Sequence, residues 1–343
     1  MPFTAADAVR ARADFPALAR EEHGQPVAFL DGPGGTQVPQ AVIDAMVDGY
    51  RRCNVNAGGA FASSREVGEE VLDARAAIAD LLGAPEPACI AFGANMTSLN
   101  FALARAIGRR LRAGDELLVT RLDHEANRGP WQTLAAGGVV VREVDITPAG
   151  ALDMEDFRRK LGPRTRLVAV TLASNALGTV PDIAEIRALS HAVGAWLVCD
   201  AVHYAAHFPL DVVALAYKFH GPHIGVLYSR SGLLDELATD RLRCQYAHAP
   251  QRIETGTPNH PALMGVRAAV DYLAAWGSGG TRRARLLDTM QGIADYEHGL
   301  ARHYLQGLAA LPGARVWGPG DEQPRAPTVS ITLDGASALE AAT

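Results

Sequence analysis

Four segments place chemically competent side chains just after apolar runs. WLVCDAVH (196–203) closes on Asp200 and sets His203 three residues on. AYKFHGPHIG (216–225) carries Lys218 between an aromatic residue and a glycine–proline turn. TLASNALGTVPDI (171–183) offers Ser174 and Asn175, and TRLDHEANRGPW (120–131) offers His124. A carboxylate buried at Asp200 could pair with a protonated ring nitrogen, and His203 is near enough along the chain to bond a second polar atom. Asp200 also reads as a cap of the following turn, and a single histidine after a strand is commonly a capping or surface residue. Chemistry that needs an amine has two candidates, because the chain holds two lysines, Lys160 and Lys218, against thirty arginines. Lys160 lies in DFRRKLGPR at a helix end, where a solvated cation is the ordinary role.

Other motifs are excluded by spacing. VAFLDGPGGTQ (27–37) sets glycines between an apolar run and a helix, but Gln37 stands where a dinucleotide fingerprint requires glycine, and no lysine is near for a P-loop. A tight turn at a substrate cleft is the better account. His124-Glu125 is followed by Arg128 rather than a second zinc-binding histidine. The pairs His203/His207 and His220/His223 lack the carboxylate or cysteine partners that would complete a metal site. No G-x-S-x-G elbow is present.

The elements that must position these residues alternate. CIAF (89–92), ELLVT (116–120), VVVREV (139–144), RLVAVTL (166–172) and WLVCD (196–200) read as strands. Helices are predicted over Thr97–Leu111, Asn127–Leu134, Met154–Leu161 and Ile183–Val193. This βαβα order predicts an α/β fold with a mostly parallel sheet and helices on both faces, whose ligands bind beyond the carboxyl ends of the strands. Upstream, Gln40–Arg52 and Val67–Leu82 read as helices around a loop, Asn54–Ser64. Downstream, Ala262–Trp276 and then Thr281–Leu311, with possible breaks, read as helices, and TVSITL (328–333) as a final strand. The expected division is a large domain over 24–265 and a smaller α+β domain from 1–23 and 266–343.

The 343 residues are 48% hydrophobic and 20% charged, with net charge −6 and pI near 6.0. That leaves no basic footprint for nucleic acid or an anionic membrane. No apolar run approaches the roughly 20 residues that span a bilayer, and 1–20 lacks a signal-peptide core, so a cytoplasmic protein is expected. Cys53, Cys89, Cys199 and Cys244 form no C-x-x-C pair and read as four buried or semi-buried structural thiols.

From Phe29 onward the chain resembles the class V aminotransferases, especially their cysteine desulfurase-like branch. The stretches that carry the resemblance are LDHEAN (122–127), SNALGT (174–179), DAVH (200–203), YKFHGPHIG (217–225) and ETGTPN (254–259), in that order. The resemblance implies the fold type I of enzymes dependent on pyridoxal 5′-phosphate (PLP). It implies that Lys218 forms the Schiff base and shuttles the substrate α-proton, and that Asp200 keeps the pyridinium nitrogen protonated. His203 and Asn175 would bond the phenolic oxygen, and His124 would stack on the ring. The phosphate would sit on the N–H groups of Asn95 and Met96 and the Thr97 hydroxyl at a helix start. Thr257 would reach the phosphate of a partner subunit, implying a homodimer. The implied activity is sulfur removal or C–S lyase chemistry on an amino acid. The alternatives are transamination or epimerisation, and an inactive or cofactor-poor homologue.

Two departures from the family stand out. The segment between Asp200 and Lys218 is short by about one strand of 5–8 residues, with Leu215 at the position of a phosphate-binding serine and Tyr217 where many relatives carry histidine. A parallel crossover needs about a dozen residues, so 201–215 cannot supply both a crossover and a full strand. Either a Leu215–Ala216 Cα separation well above about 3.8 Å or a short or absent strand before Lys218 is expected. The sequence also stops at the opening of a helix, which gives the small domain a truncated look, before the family's substrate-binding arginine and desulfurase cysteine.

Overall fold

A computed structural model describes residues 3–210, 215–216 and 218–342. Its elements are α1 (Ala5–Arg12), β1 (Glu21–Glu22), β2 (Gln25–Pro26), α2 (Gln40–Arg52), α3 (Ala62–Leu82), β3 (Ile90–Gly93) and α4 (Met96–Gly108). There follow β4 (Glu116–Thr120), α5 (Gly129–Gln132), β5 (Val140–Val144), α6 (Met154–Lys160), β6 (Thr165–Thr171), α7 (Ile183–Ala192) and β7 (Trp196–Asp200). The rest are β8 (Leu215–Ala216), β9 (Gly225–Tyr228), α8 (Leu233–Glu236), α9 (His260–Ala275), α10 (Arg282–Ala309), β10 (Ala314–Trp317), β11 (Ser330–Leu333) and α11 (Ala338–Ala342).

The chain forms two compact units. The first comprises Met1–Arg110 and Phe208–Ile293, the second Leu111–His207 and Ala294–Thr343. In the second unit, β7, β6, β4 and β5 lie side by side in that order, all parallel. This is the expected parallel α/β arrangement. β4 is buried along its whole length, as is β6 except at Arg166, which explains their near-continuous apolar reading. Glu116, the buried polar start of β4, is satisfied by Arg142 at 2.9 Å and Arg164 at 2.6 Å. These guanidiniums hold its carboxyl below the usual range. Aspartates cap the crossover helices: Asp153 accepts from the first turn of α6, and Asp182 from Glu185 N in α7. β10 and β11 pair antiparallel beyond α10.

In the first unit β3 and β8 flank β9, both antiparallel to it. α9 packs along α2 and α3, with Gly49 and Gly265 allowing close approach. A Cβ on Gly49 would fall 3.2 Å from the Pro261 backbone.

Several expectations need correction. The helix expected over Asn127–Leu134 is broken into short turns, with α5 only four residues long. Gly129 and Pro130 explain this, since proline lacks an N–H and restricts the residue before it. α3 starts at Ala62, inside the expected loop. α10 runs without a break through Gly292, Gly299 and Gly307. β9 and β10 were not anticipated. Of the strand expected before Lys218, the structure describes β8, Leu215–Ala216. Residues 211–214 of the expected crossover, and Tyr217, lie outside the described residues. No helix among the described residues is long and apolar enough to cross a membrane.

Candidate active site

In the second unit, three adjacent parallel strands end on one edge, and a candidate residue stands at or soon after each end. Asp200 is the last residue of β7, lies opposite Thr171 of β6, and is 5% exposed. Its Oδ1 accepts from Val202 N at 2.8 Å, and its carbonyl accepts from Leu172 N at 2.8 Å. These bonds tie the β6 and β7 ends together. Asn175 follows β6 in a turn closed by Ser174 N to the Thr179 carbonyl at 2.9 Å and Gly178 N to the Ser174 carbonyl at 3.0 Å. Its half-buried side-chain amide makes no hydrogen bond among the described residues, so it can serve a ligand. His124 follows β4 and is exposed. Its Nδ1 accepts from Ala126 N at 3.1 Å, so the neutral ring carries its proton on Nε2. His203 is buried, with Nε2 2.7 Å from Thr328 Oγ1 and its ring edge-on to His207. His207 Nδ1 in turn lies 2.9 Å from a Glu297 carboxylate oxygen.

Sequence reasoning missed Asp123, which sits beside this edge. Its carboxyl binds Thr120 Oγ1 at 2.5 Å and Asn127 Nδ2 at 2.8 Å. Burial pushes its pKa up to about 8, and the charge of Asp200 adds to the rise. Asp123 therefore carries a proton at neutral pH, so the edge does not bury two full negative charges. The available signal was a Thr-x-x-Asp pair directly after a strand.

The first unit holds the remaining candidates. Lys218 is 9% exposed, and its ammonium donates to the Pro33 carbonyl. Next to it, His220 N donates to Thr36 Oγ1 at 3.2 Å, and His220 Nδ1 lies 3.2 Å from the Gln37 carbonyl. The glycine cluster 31–37 is thus the turn that receives the lysine loop. Lys160 instead pairs with Asp156 at 2.6 Å on the last turn of α6.

Asn95 caps α4, its Oδ1 accepting from Ser98 N at 2.8 Å. The amides of Met96 and Thr97, earlier in that turn, have no acceptor within the helix. Gly225 of β9 passes directly beneath them. A Cβ there would lie 2.3 Å from the Asn95 carbonyl carbon and 2.8 Å from Met96 N. This helix start, with Thr97 exposed beside it, is a cradle suited to a phosphate.

Thr257 is exposed on the loop 254–259. It lines a pocket of about 150 Å³ with Tyr50, Asn54, Asn56 and His260. The loop is anchored by Glu254, whose carboxylate accepts from Arg75 Nη1 and Nη2 at 2.7 Å each and from Phe92 N at 2.6 Å. Arg75 and Glu254 are both buried.

The sequence pattern of the class-V aminotransferases matches residues 28–343. The chain belongs to the class-V aminotransferase family. It is 33% identical to a cysteine desulfurase of Serratia proteamaculans (strain 568) over 348 residues, covering 94% of this chain and 82% of that relative. Among solved structures it is similar to the cysteine desulfurase CsdA of Escherichia coli, with TM-score 0.81 and 27% identity, covering 96% of this chain and 83% of that one. It is also similar to the apo cysteine desulfurase of Thermococcus onnurineus NA1, with TM-score 0.85 and 26% identity over 97% and 84% of the two chains. These likenesses establish the expected fold.

Cys53, Cys89 and Cys199 are buried, and burial raises each thiol pKa, that of Cys199 to about 12. None of these three is a thiolate at neutral pH. Cys244 is exposed, which corrects its reading as a buried thiol.

Proposed function

We propose that the chain is a PLP-dependent enzyme acting on an amino acid, with cysteine desulfurase-like chemistry of sulfur removal or C–S cleavage. The observation that carries this reading is the placement of His124, Asn175 and Asp200 after three adjacent parallel strands in a chain of this family. PLP, when bound, supplies an electron sink for charge developing at the amino acid's α-carbon.

Each residue has a role that its surroundings support. Lys218 would hold the cofactor covalently and would carry the α-proton; its burial and its carbonyl partner keep the amine oriented. Asp200, anchored by the Val202 amide, holds a proton on the ring nitrogen. His203 and Asn175 would donate to the phenolic oxygen, and His124 would cover the ring face. Asn95, Met96 and Thr97 bind the phosphate at the start of α4.

We further propose a homodimer in which Thr257 reaches the partner's cofactor phosphate. Ile43, Val47 and Tyr50 leave one exposed apolar stripe on α2, and Tyr50 walls the pocket beside Thr257. We expect residues 24–265 to act as the cofactor-binding domain and 1–23 with 266–343 as the small one. Four free cysteines suit a reducing, cytoplasmic setting.

The test is reconstitution with PLP followed by L-cysteine. Visible absorbance of the lysine-bound cofactor and release of sulfide with alanine are expected. Lys218→Ala should lose the absorbance and Lys160→Ala should keep it. Keto-acid formation or racemisation in place of sulfide would replace the desulfurase reading with an aminotransferase or an epimerase. Wild-type protein without absorbance would mark a cofactor-poor homologue.

A further inference from the structure

Arg325 is 5% exposed, yet among the described residues no carboxylate pairs with it. Its guanidinium donates to three main-chain carbonyls: Pro319, Thr328 at 2.7 Å and Ala326 at 3.3 Å. Burial draws its pKa below the ordinary value, and Asp321 supports the charge from farther away. Burying a guanidinium is costly unless hydrogen bonds meet its donors. Here the bonds to Pro319 and Thr328 fix the shape of the strip 318–330.

That strip holds two distant pieces of the candidate site. Its first contact is with the turn that carries Asn175. Thr179 and Arg325 form an antiparallel bridge, and Ala326 N donates to the Gly178 carbonyl at 2.8 Å. Ser330 Oγ donates to the Ala176 carbonyl. The fit is tight, because a Cβ on Gly178 would lie 2.5 Å from the Thr328 carbonyl oxygen and one on Gly318 would lie 2.5 Å from that of Leu177. Gly178 also has φ +74°, which disfavours any side chain. The second contact is with His203, through Thr328 Oγ1 at 2.7 Å.

We propose that Arg325 is a positioning residue. Through one carbonyl-bound strip it sets Asn175 and His203 relative to each other, and so tunes the acidity of the cofactor oxygen they share. This rests on the roles given to Asn175 and His203 above. Arg325 touches neither substrate nor cofactor in this proposal. A lysine in its place keeps the charge but cannot offer a planar fork to separate carbonyls.

The test compares Arg325→Lys, Thr328→Val, Asn175→Ala and His203→Ala with wild type by two readouts. The first is amide hydrogen exchange over 174–179 in cofactor-free protein. The second is the pH midpoint of the visible absorbance of PLP-loaded protein. Arg325→Lys is expected to speed exchange in that turn by about tenfold. It should also move the midpoint in the direction given by Asn175→Ala and His203→Ala. Faster exchange with an unmoved midpoint would reduce Arg325 to a structural residue and overturn the proposal. If Asn175→Ala and His203→Ala leave the midpoint unmoved, their own roles fail and the proposal falls with them. Should Arg325→Lys not fold, Thr328→Val decides, because it removes the hydroxyl contact with His203 while leaving the carbonyl that Arg325 uses. A midpoint shifted as in His203→Ala supports the proposal, and an unshifted one overturns it.

Discussion

The candidate residues of the two units are held by different means. In the second unit Asp200 ends a regular strand, and Asn175 and His124 follow directly on two neighbours, so the ladder itself fixes where each begins. In the first unit Lys218 and Thr257 lie on loops, and contacts distant in sequence help position them: Lys218 on Pro33, 185 residues away, and the Thr257 loop through Glu254 on Arg75, 179 residues away. A strand end distributes its anchoring along a regular ladder, whereas a loop concentrates it at a few side chains. Damage to the second unit's edge should therefore appear in chemistry, and damage to the first unit's anchors in stability and cofactor retention.

Asp200→Asn should produce the largest effect and the most purely chemical one. A neutral amide cannot stabilise a protonated ring nitrogen, and each pKa unit lost there corresponds to about 1.4 kcal/mol. Exchange of the substrate α-proton, followed by NMR in D2O, is expected to fall by at least about a hundredfold, with PLP still bound. Wild-type exchange would remove Asp200 from this role.

Glu254→Ala should do the opposite. It leaves Arg75 buried without its carboxylate, a change that costs about 3–5 kcal/mol, and urea titration should show it. The double variant Arg75→Met with Glu254→Leu should recover most of that loss. If both variants unfold at the wild-type urea concentration, the Thr257 loop is not held by this pair.

Gly225→Ala is expected to cost less, about 1–3 kcal/mol for an overpacked contact, but to act on the phosphate cradle. Its Cβ would press on the Asn95–Met96 peptide. Equilibrium dialysis should show weaker PLP binding, with a smaller change in affinity for an aldehyde lacking the phosphate. Equal losses for both ligands would move the phosphate away from α4.

A last effect, small at any one pH step, separates folding from chemistry. The folded-state pKa of Asp123, about 8, lies above its unfolded value, near 3.9. Its contribution to stability is fully present below about pH 4 and is lost as pH rises through 8. Across this window the native state binds the extra proton, so stability declines by up to about 1.4 kcal/mol per pH unit from this group alone. Asp123→Asn should flatten the slope in urea titrations between pH 5 and about 8. A parallel pH dependence in both proteins would show that Asp123 is ionised in the fold.

The same contrast explains what could be read from sequence. β4 and β7 match their predicted ranges, and β6 is displaced by one residue, because buried parallel strands write continuous apolar runs. The residues after them were legible because strand ends are where open α/β sheets bind ligands, and the family resemblance supplied their roles. β9 escaped because GVLY is a four-residue apolar run directly behind a glycine–proline turn. Arg75, Pro33 and Arg325 act through pairings that no local pattern announces. Arg325 was least visible of all, since its partners are carbonyls, which every residue has. Asp123 lies inside the LDHEAN motif, but only burial reveals that it holds a proton.

Three main-chain carbonyls form a cage around the Arg325 guanidinium. Carbonyl oxygens do not titrate in the range where proteins stay folded, and a guanidinium stays charged throughout it. The scaffold beneath Asn175 and His203 therefore has no protonation state to change. Screening by salt also acts weakly on a buried cation held by fixed dipoles. The cage is a mechanical part indifferent to the medium, so any acid–base profile of this enzyme must originate in other groups, such as the Asp123 carboxyl.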